Sequence, residues 1–212
     1  MIDLVDKIES VLTLNANDYL GDLIGGGLLI AESRTVAATL LQHLPEADWK
    51  RLFEVENVLQ KPSRHSSIRY ARAIRRRLAP LGEDFIRALL QATGQEYVQM
   101  LLLAVLIHSP ILADFMRLAV MEHKRLYKPA LSADSWNFFI AERLGVMPDL
   151  GNFSASTLNK IGTNAVRVLV ESGYLNSNRQ REFQPVYLLP EVRQWLLALN
   201  HPELEGVMEC TI

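Results

Sequence analysis

Helical periodicity is the feature that most limits what this chain can fold into. Through residue 145, apolar side chains recur three and four residues apart, as in Val36, Ala37, Leu40 and Leu41, and no stretch alternates apolar with polar residues. Glycine and proline residues divide the region into segments of helical length. The pattern predicts an all-helical domain over residues 1–147.

The pattern changes after this first domain, where glycine and proline predict a linker. A helix predicted over residues 156–172 is followed by Gly173, a polar turn and a β-prone segment at residues 183–189, which Pro185 limits to a sheet edge. A short final helix follows. This is the order of elements in a winged helix, so we predict a mainly α protein with a small winged-helix-like α+β domain over residues 148–212. A small αβ cap packed on the first domain is the alternative.

Residues 61–77 carry seven basic side chains and no acidic one, although the whole chain has a net charge of −2. The segment is predicted to be a helix, because Tyr70, Ile74 and Leu78 recur on one side of it. At about 100° per residue, three arginines fall on the opposite side and two lie at its edges. The stripe consists of Arg69, Arg72 and Arg76, and the edge residues are Arg75 and Arg77. Such a block favours a polyanion as partner, with an acidic protein surface or a plain solvated face as alternatives.

A second basic region is predicted in the C-terminal domain. This C-terminal basic region consists of Lys160 and Arg167 on the helix, and Arg179 and Arg181 at the hairpin tip. Asn164, predicted to face outward on the same helix, is the one side chain there that is suited to reading a base edge. Because the offered side chains are mostly cations, we expect phosphate contacts to supply the affinity and sequence preference to be weak.

Motifs for catalysis or for a cofactor are missing from the sequence. Residues 25–27 are three glycines before a helix, but no Lys-Ser or Lys-Thr pair follows them, so they predict a turn rather than a phosphate loop. The five histidines are scattered without metal-ligand spacing, and no serine has the context of a nucleophile elbow. We therefore expect no enzyme activity, no cofactor and no metal.

The same sequence favours a cytoplasmic location. The single cysteine, Cys210, cannot form a disulfide within the chain, which fits a reducing compartment. The N-terminus is acidic and lacks the pattern of a secretory signal. The most apolar stretch, residues 100–107, is far shorter than the roughly 20 residues of a membrane-spanning helix. We expect it to be a buried core helix, and we expect no membrane association.

Seven segments of the sequence carry a family resemblance: residues 26–34, 48–50, 56–61, 69–72, 75–78, 108–115 and 171–175. Together they resemble the BrxA family of bacterial BREX phage-defence systems. The resemblance covers nearly the whole chain, and its motifs are structural rather than catalytic. It implies a small, cytoplasmic, mostly helical and non-enzymatic protein that binds DNA beside the methyltransferase, phosphatase-like and ATPase components of such a system. The first domain of this family resembles the helical antitermination factor NusB, which keeps RNA binding open.

Together, the resemblance and the charge pattern predict a component of a BREX phage-restriction system that binds double-stranded DNA, with other BREX proteins as partners. Two rival functions use the same residues. One is an assembly adaptor whose arginine stripe docks an acidic partner protein. The other is an RNA-binding, antitermination-like module formed by the helical domain.

Overall fold

The computed structural model describes residues 14–210 of the 212-residue chain, and its regular structure is helical. The first six helices are α1 (Ala16–Leu20), α2 (Ile30–Leu40), α3 (Glu46–Lys50), α4 (Arg64–Leu78), α5 (Gly82–Gln91) and α6 (Gly94–His108). The next six are α7 (Pro110–Phe115), α8 (Met121–Arg125), α9 (Ser135–Val146), α10 (Ala155–Glu171), α11 (Pro190–Ala198) and α12 (Leu204–Glu209). The mainly α prediction is confirmed.

Short non-α turns connect several of these helices. A π-helical turn follows α3 (Arg51–Val55), and another joins α7 to α8 (Met116–Val120). Turns of 3₁₀ helix occupy Leu23–Gly25, Ala79–Leu81 and Pro148–Asn152. The chain therefore stays helical in character even where one α-helix ends and the next begins.

The two helices that carry the predicted basic residues both begin at a serine cap. The Ser63 hydroxyl accepts a hydrogen bond from the backbone N–H of Ser66 (3.1 Å) at the start of α4. The Ser154 hydroxyl accepts one from the backbone N–H of Thr157 (3.2 Å) at the start of α10. Each cap satisfies a backbone donor that has no partner inside its helix, which fixes where the helix begins.

Helix α6 lies at the centre of the molecule. Residues 100–106 are buried on every side of the helix, and α6 contacts α4, α5, α7 and α11. A helix that is apolar all round is buried in this way, so the predicted core helix is confirmed. Within residues 14–210, no single helix has the length and apolar character to cross a membrane. Helix α6 and the helix that starts at Pro110 meet these criteria only as a pair, and they are bent by 106°.

The C-terminal helices pack directly on the earlier ones. The Trp136 indole N–H of α9 donates to the backbone oxygen of Leu158 on α10 (3.0 Å), and a Cβ at Gly162 would overlap the Trp136 ring. Trp195 of α11 meets Phe85 of α5 edge to face, with ring centroids 5.3 Å apart. The buried apolar residues of both parts form one cluster. The division into domains at residue 147, and the likeness of the first helices to NusB, stay predictions.

The predicted strands of the C-terminal unit do not form within the described residues. Residues 174–184 make a hairpin whose arms meet at a single antiparallel bridge, Leu175 to Phe183. Pro185 follows directly and has no N–H to continue a ladder. The chain beyond it is held by Gln99 of α6 instead, whose side chain bonds the Tyr187 oxygen (2.7 Å) and the Leu189 N–H (3.0 Å). The α+β description of this unit was therefore wrong.

Candidate nucleic-acid interface

The predicted arginine helix is present as α4, and its exposed side carries most of the expected cations. We call the arginine surface the set of Arg64, Arg69, Arg72, Arg75 and Arg76. Its inner side is apolar, with Ala71, Ile74 and Leu78 buried. Apolar and basic side chains therefore separate to opposite sides of α4, as the helical spacing predicted.

Three members of the arginine surface have no anionic partner in the described part of the chain. Arg64, Arg72 and Arg76 are exposed, and none of them forms an ion pair or hydrogen bond with a carboxylate within residues 14–210. An exposed guanidinium without a partner keeps its five N–H donors for an external ligand. These three residues are the part of α4 that is most available to an anion.

The other two members are partly engaged. The Arg75 guanidinium lies 2.8 Å from the Glu46 carboxylate of α3 and 4.8 Å from the centre of the Trp49 ring. Its hydrogen bond holds the pKa of Glu46 below the usual range. Arg69 is half-buried, stacks on Tyr70 (4.8 Å) and points one N–H towards the Gly25 oxygen at 3.4 Å. Both can contribute to an anion site only after giving up some of these contacts.

The assignment of Arg77 to the binding surface was wrong. Arg77 is 3% exposed, and its Nε donates to Asp22 Oδ1 at 2.9 Å. Its Nη1 and Nη2 donate to the backbone oxygens of Gly27 (2.7 Å) and Gly26 (3.5 Å). A buried guanidinium that is neutralised by a carboxylate and bonded to two carbonyls is structural. Arg77 fixes the turn at residues 25–27, here called the glycine turn, against α4.

The glycine turn itself is filled by the protein. The backbone N–H of Leu28 donates to Glu171 Oε2 of α10 (2.6 Å), so this donor already holds an anionic group of the protein. A Cβ at Gly27 would overlap this carboxylate, so glycine is needed for the close approach. The predicted turn is present, and this contact joins α10 to the chain before α2.

The C-terminal basic region is less available than its composition indicates. Lys160 and Arg179 are exposed, but Arg167 Nε lies 2.8 Å from Glu171 Oε1 one turn along α10. Arg181 is half-buried and donates to the backbone oxygens of three residues. These are Asn178 (3.1 Å), Ala133 (3.2 Å) and Ser132 (3.3 Å). Arg181 therefore holds the hairpin against the loop before α9.

Asn164 is buried, contrary to the prediction that it faces outward to read a base edge. It is 8% exposed, and its side-chain N–H donates to the Leu23 oxygen at 2.7 Å. Its amide therefore joins α10 to the 3₁₀ turn after α1. The spacing contained the signal, because Asn164 follows Ile161 by three residues and precedes Val168 by four, and both are buried.

The structure joins two residues of the C-terminal basic region in one groove. Arg167 and Arg181 line a groove of about 650 Å³ between α9 and α10, together with three asparagine side chains. The asparagines are Asn137, Asn159 and Asn178. Lys160 and Arg179 lie outside this lining. The groove is polar, and it offers amides rather than free cations.

One residue next to the arginine surface was missed in the sequence. His108, at the end of α6, lines a groove of about 500 Å³ with Arg72, Arg75 and Arg76. No helical periodicity links residue 108 to residues 72–76, because the contact depends on how α6 crosses α4. Only the packing of these two helices places the imidazole there.

Known proteins are similar to this chain over nearly its whole length. A family model described as BrxA matches residues 17–200. The "BREX protein BrxA" of Escherichia coli O9:H4 (strain HS) is 35% identical over 195 residues, which cover 92% of this chain and 92% of that protein. The chain belongs to the BrxA family. The resemblance found in the sequence segments is thereby confirmed.

Another relative and a solved structure extend this result. The "BREX protein BrxA" of Paramagnetospirillum magneticum (strain ATCC 700264 / AMB-1) is 31% identical over 182 residues, covering 86% of this chain and 92% of that protein. The crystal structure of an uncharacterized protein from Magnetospirillum magneticum superposes with a TM-score of 0.78 at 29% identity, covering 92% of this chain and 100% of that one. The region matched by the BrxA model contains α4, α10 and the hairpin, so both basic regions lie within the family's shared part.

Proposed function

We propose that the chain is a non-enzymatic component of a BREX phage-defence system that binds double-stranded DNA mainly through the arginine surface. Two relatives named as BREX proteins support the system, and its other proteins are then the expected partners. One observation supports the DNA contact above all. Arg64, Arg72 and Arg76 are exposed on one helix and have no carboxylate partner within residues 14–210.

The geometry of α4 suits a phosphate backbone. Arg72 and Arg76 are one turn apart, about 6 Å along the helix axis, and both are presented on the outer side. A guanidinium stays charged and can bond two oxygens of one phosphate, so it is well matched to this ligand. Because these side chains are exposed and have no carboxylate partner within residues 14–210, binding DNA breaks no ion pair among the described residues.

Sequence preference should be weak. The structure buries Asn164, the one residue that was predicted to read a base edge. The arginines that remain contact phosphates on any sequence. In this proposal Lys160 and Arg179 add a secondary phosphate contact, with the hairpin tip taking the place of a wing.

The test is a titration of labelled random duplex DNA with the protein. Fluorescence anisotropy measures the binding at several salt concentrations. If about four phosphates are neutralised, log K should fall against log salt with a slope of about −3 to −4. No binding at low salt, or a slope near zero, would reject the proposal and favour the adaptor function. Tighter binding of single-stranded or duplex RNA in the same assay would favour the RNA-binding function instead.

A further inference from the structure

His108 faces the arginine surface from a different helix. It lines the groove of about 500 Å³ whose other polar lining residues are Arg72, Arg75 and Arg76, and no carboxylate from residues 14–210 lines this groove. A second cavity, of about 580 Å³, is also lined by Arg76 and His108, together with Asp18 and Asp22. The imidazole therefore lies where the exposed arginines and the buried Asp22 meet.

The backbone around His108 is held by a close contact with the end of α1. Gly21 adopts a φ of +56°, and a Cβ there would overlap Ser109 Oγ and the His108 oxygen. This approach brings Asp22 beside the imidazole, with 3.7 Å between His108 Nε2 and Asp22 Oδ2. The position of His108 is thus set by the fold and not by the flexibility of a surface loop.

One buried oxygen of Asp22 has no donor among residues 14–210. Its Oδ1 accepts from Arg77 Nε, but Oδ2 has no hydrogen-bond partner within those residues, although Asp22 is only 6% exposed. A buried, unsatisfied carboxylate oxygen is costly. The His108 imidazole lies 3.7 Å from this oxygen, and a neutral imidazole has a single N–H to donate.

The surroundings keep this imidazole neutral in the free protein. Burial lowers the pKa of His108 below its usual value of 6.5, and the positive charges of Arg77 and Arg76 lower it further. Asp22 and Asp18 act in the opposite direction without reversing the shift. At neutral pH, His108 therefore contributes no charge to the groove.

We propose that this groove binds one phosphate of the DNA backbone between Arg72, Arg76 and His108, and that His108 takes up a proton when the phosphate binds. The proposal rests on the proposed function of the arginine surface. A bound phosphate offsets the charge of Arg76, which removes part of what disfavours the imidazolium. The imidazolium has two N–H donors, one for the phosphate and one for Asp22 Oδ2.

Proton uptake gives the pH dependence a definite sign. The pKa of His108 is higher in the complex than in the free protein, so affinity is constant at high pH and rises as pH falls through the bound pKa. The affinity stops rising once the pH is below the pKa of His108 in the free protein. Between the pKa of the free protein and that of the complex, the affinity rises by at most about tenfold per pH unit. Glu46 adds nothing to this slope near neutral pH, because the hydrogen bond from Arg75 holds its pKa below the usual range.

The test measures duplex binding from about pH 8 to about pH 6, the range in which histidine titrates, at fixed ionic strength. Wild type is compared with His108→Gln, His108→Lys and His65→Gln, and thermal melting at each pH checks that every variant is folded. His108→Gln should bind at low pH no better than at high pH. His108→Lys should bind tightly across the range, because its charge does not depend on pH there.

The variants separate this inference from the proposed function. If wild type fails to bind duplex DNA at any pH, the proposed function falls. If it binds but His108→Gln keeps the wild-type slope, the inference is wrong. Loss of the slope in His65→Gln, whose side chain is exposed in the first turn of α4, would also overturn it by assigning the proton to His65. An NMR titration of the His108 ring should show its pKa rising when DNA is added.

Discussion

The arginine surface and the C-terminal basic region have similar side chains, but they differ in where their partners lie. On α4, acidic partners reach Arg75 and leave Arg72 and Arg76 unpaired within residues 14–210. In the C-terminal region, Glu171 pairs with Arg167 and backbone oxygens engage Arg181. A cation that already holds an oxygen must release it before it can bind a phosphate. The two regions should therefore differ in affinity far more than their charges indicate.

The difference arises from which elements face each helix. Within residues 14–210, the one carboxylate that pairs with an arginine on the outer side of α4 is Glu46 of α3, which reaches Arg75. Arg167 pairs with Glu171, which binds the glycine turn, and Arg181 binds the loop before α9. These two cations help to hold the fold together, whereas Lys160 and Arg179 remain exposed, like Arg72 and Arg76 of α4.

The largest effect should come from Arg77, which belongs to α4 but not to the arginine surface. Arg77→Ala leaves Asp22 buried without its cation and leaves the Gly27 oxygen without a donor. Removing one partner of a buried pair typically costs about 3–5 kcal/mol of stability. Chemical denaturation should show this loss, and Arg76→Ala, one residue away and exposed, should stay within about 0.5 kcal/mol of wild type. Equal stabilities for the two variants would contradict the structural role of Arg77.

The helical layout was predictable from the sequence, but partners distant in the chain were not. Periodicity alone placed Ile74 and Leu78 inward and Arg72 and Arg76 outward, because these positions depend only on the helix repeat. Arg77 was placed at the edge of the surface because it is charged, although it follows the buried Ile74 by three residues. Its partner Asp22 is 55 residues away, and no local sequence pattern predicts this pairing.

The next largest effect separates the two basic regions directly. Combined Arg72→Glu and Arg76→Glu should weaken duplex DNA binding by ~100-fold or more at low salt, because two attractive phosphate contacts become repulsive. The matched control is Lys160→Glu with Arg179→Glu, which makes the same charge change at exposed C-terminal positions. We expect the control to lose less than about tenfold, since these residues make only secondary contacts.

Anisotropy titrations and thermal melting on both double variants decide the ranking. Both should melt close to wild type, because all four side chains are exposed. If the C-terminal pair loses more affinity than the α4 pair, the ranking of the two regions is reversed. Equal losses would mean that net charge, and not a defined surface, controls binding.

A smaller effect is expected on stability from Asn164, which sequence reasoning had assigned to base reading. Asn164→Ala removes the donor to the Leu23 oxygen and leaves a buried acceptor unpaired, at a cost of about 1–3 kcal/mol. DNA affinity of the folded protein should be unchanged. Denaturation and anisotropy measure the two properties separately. Loss of sequence preference or affinity without loss of stability would restore the base-reading role.

The site was predictable only in part for the same reason. Composition located the arginine run, and helix geometry located its outer side, because both are local properties of residues 61–77. The groove with His108 depends on the crossing of α4 and α6, and the pairing of Arg75 with Glu46 depends on where α3 lies. Such contacts join residues that are about 30 positions apart. The pattern of a single sequence does not indicate which residues of two distant helices will meet.

The smallest expected effect tests whether an ion pair within the protein keeps an arginine from binding DNA. Glu46→Gln removes the charge that holds Arg75 and should raise duplex affinity roughly two- to fivefold, the range expected for one exposed ion pair. The control is Glu83→Gln, which makes the same charge change but releases Arg87 and His43, outside the arginine surface. Anisotropy at low salt compares the two, and high salt should abolish the gain because the released contact is electrostatic. If both variants gain equally, the increase reflects net charge alone. A gain confined to Glu46→Gln would show that carboxylate partners set which arginines bind, which is the same distinction that separates α4 from the C-terminal basic region.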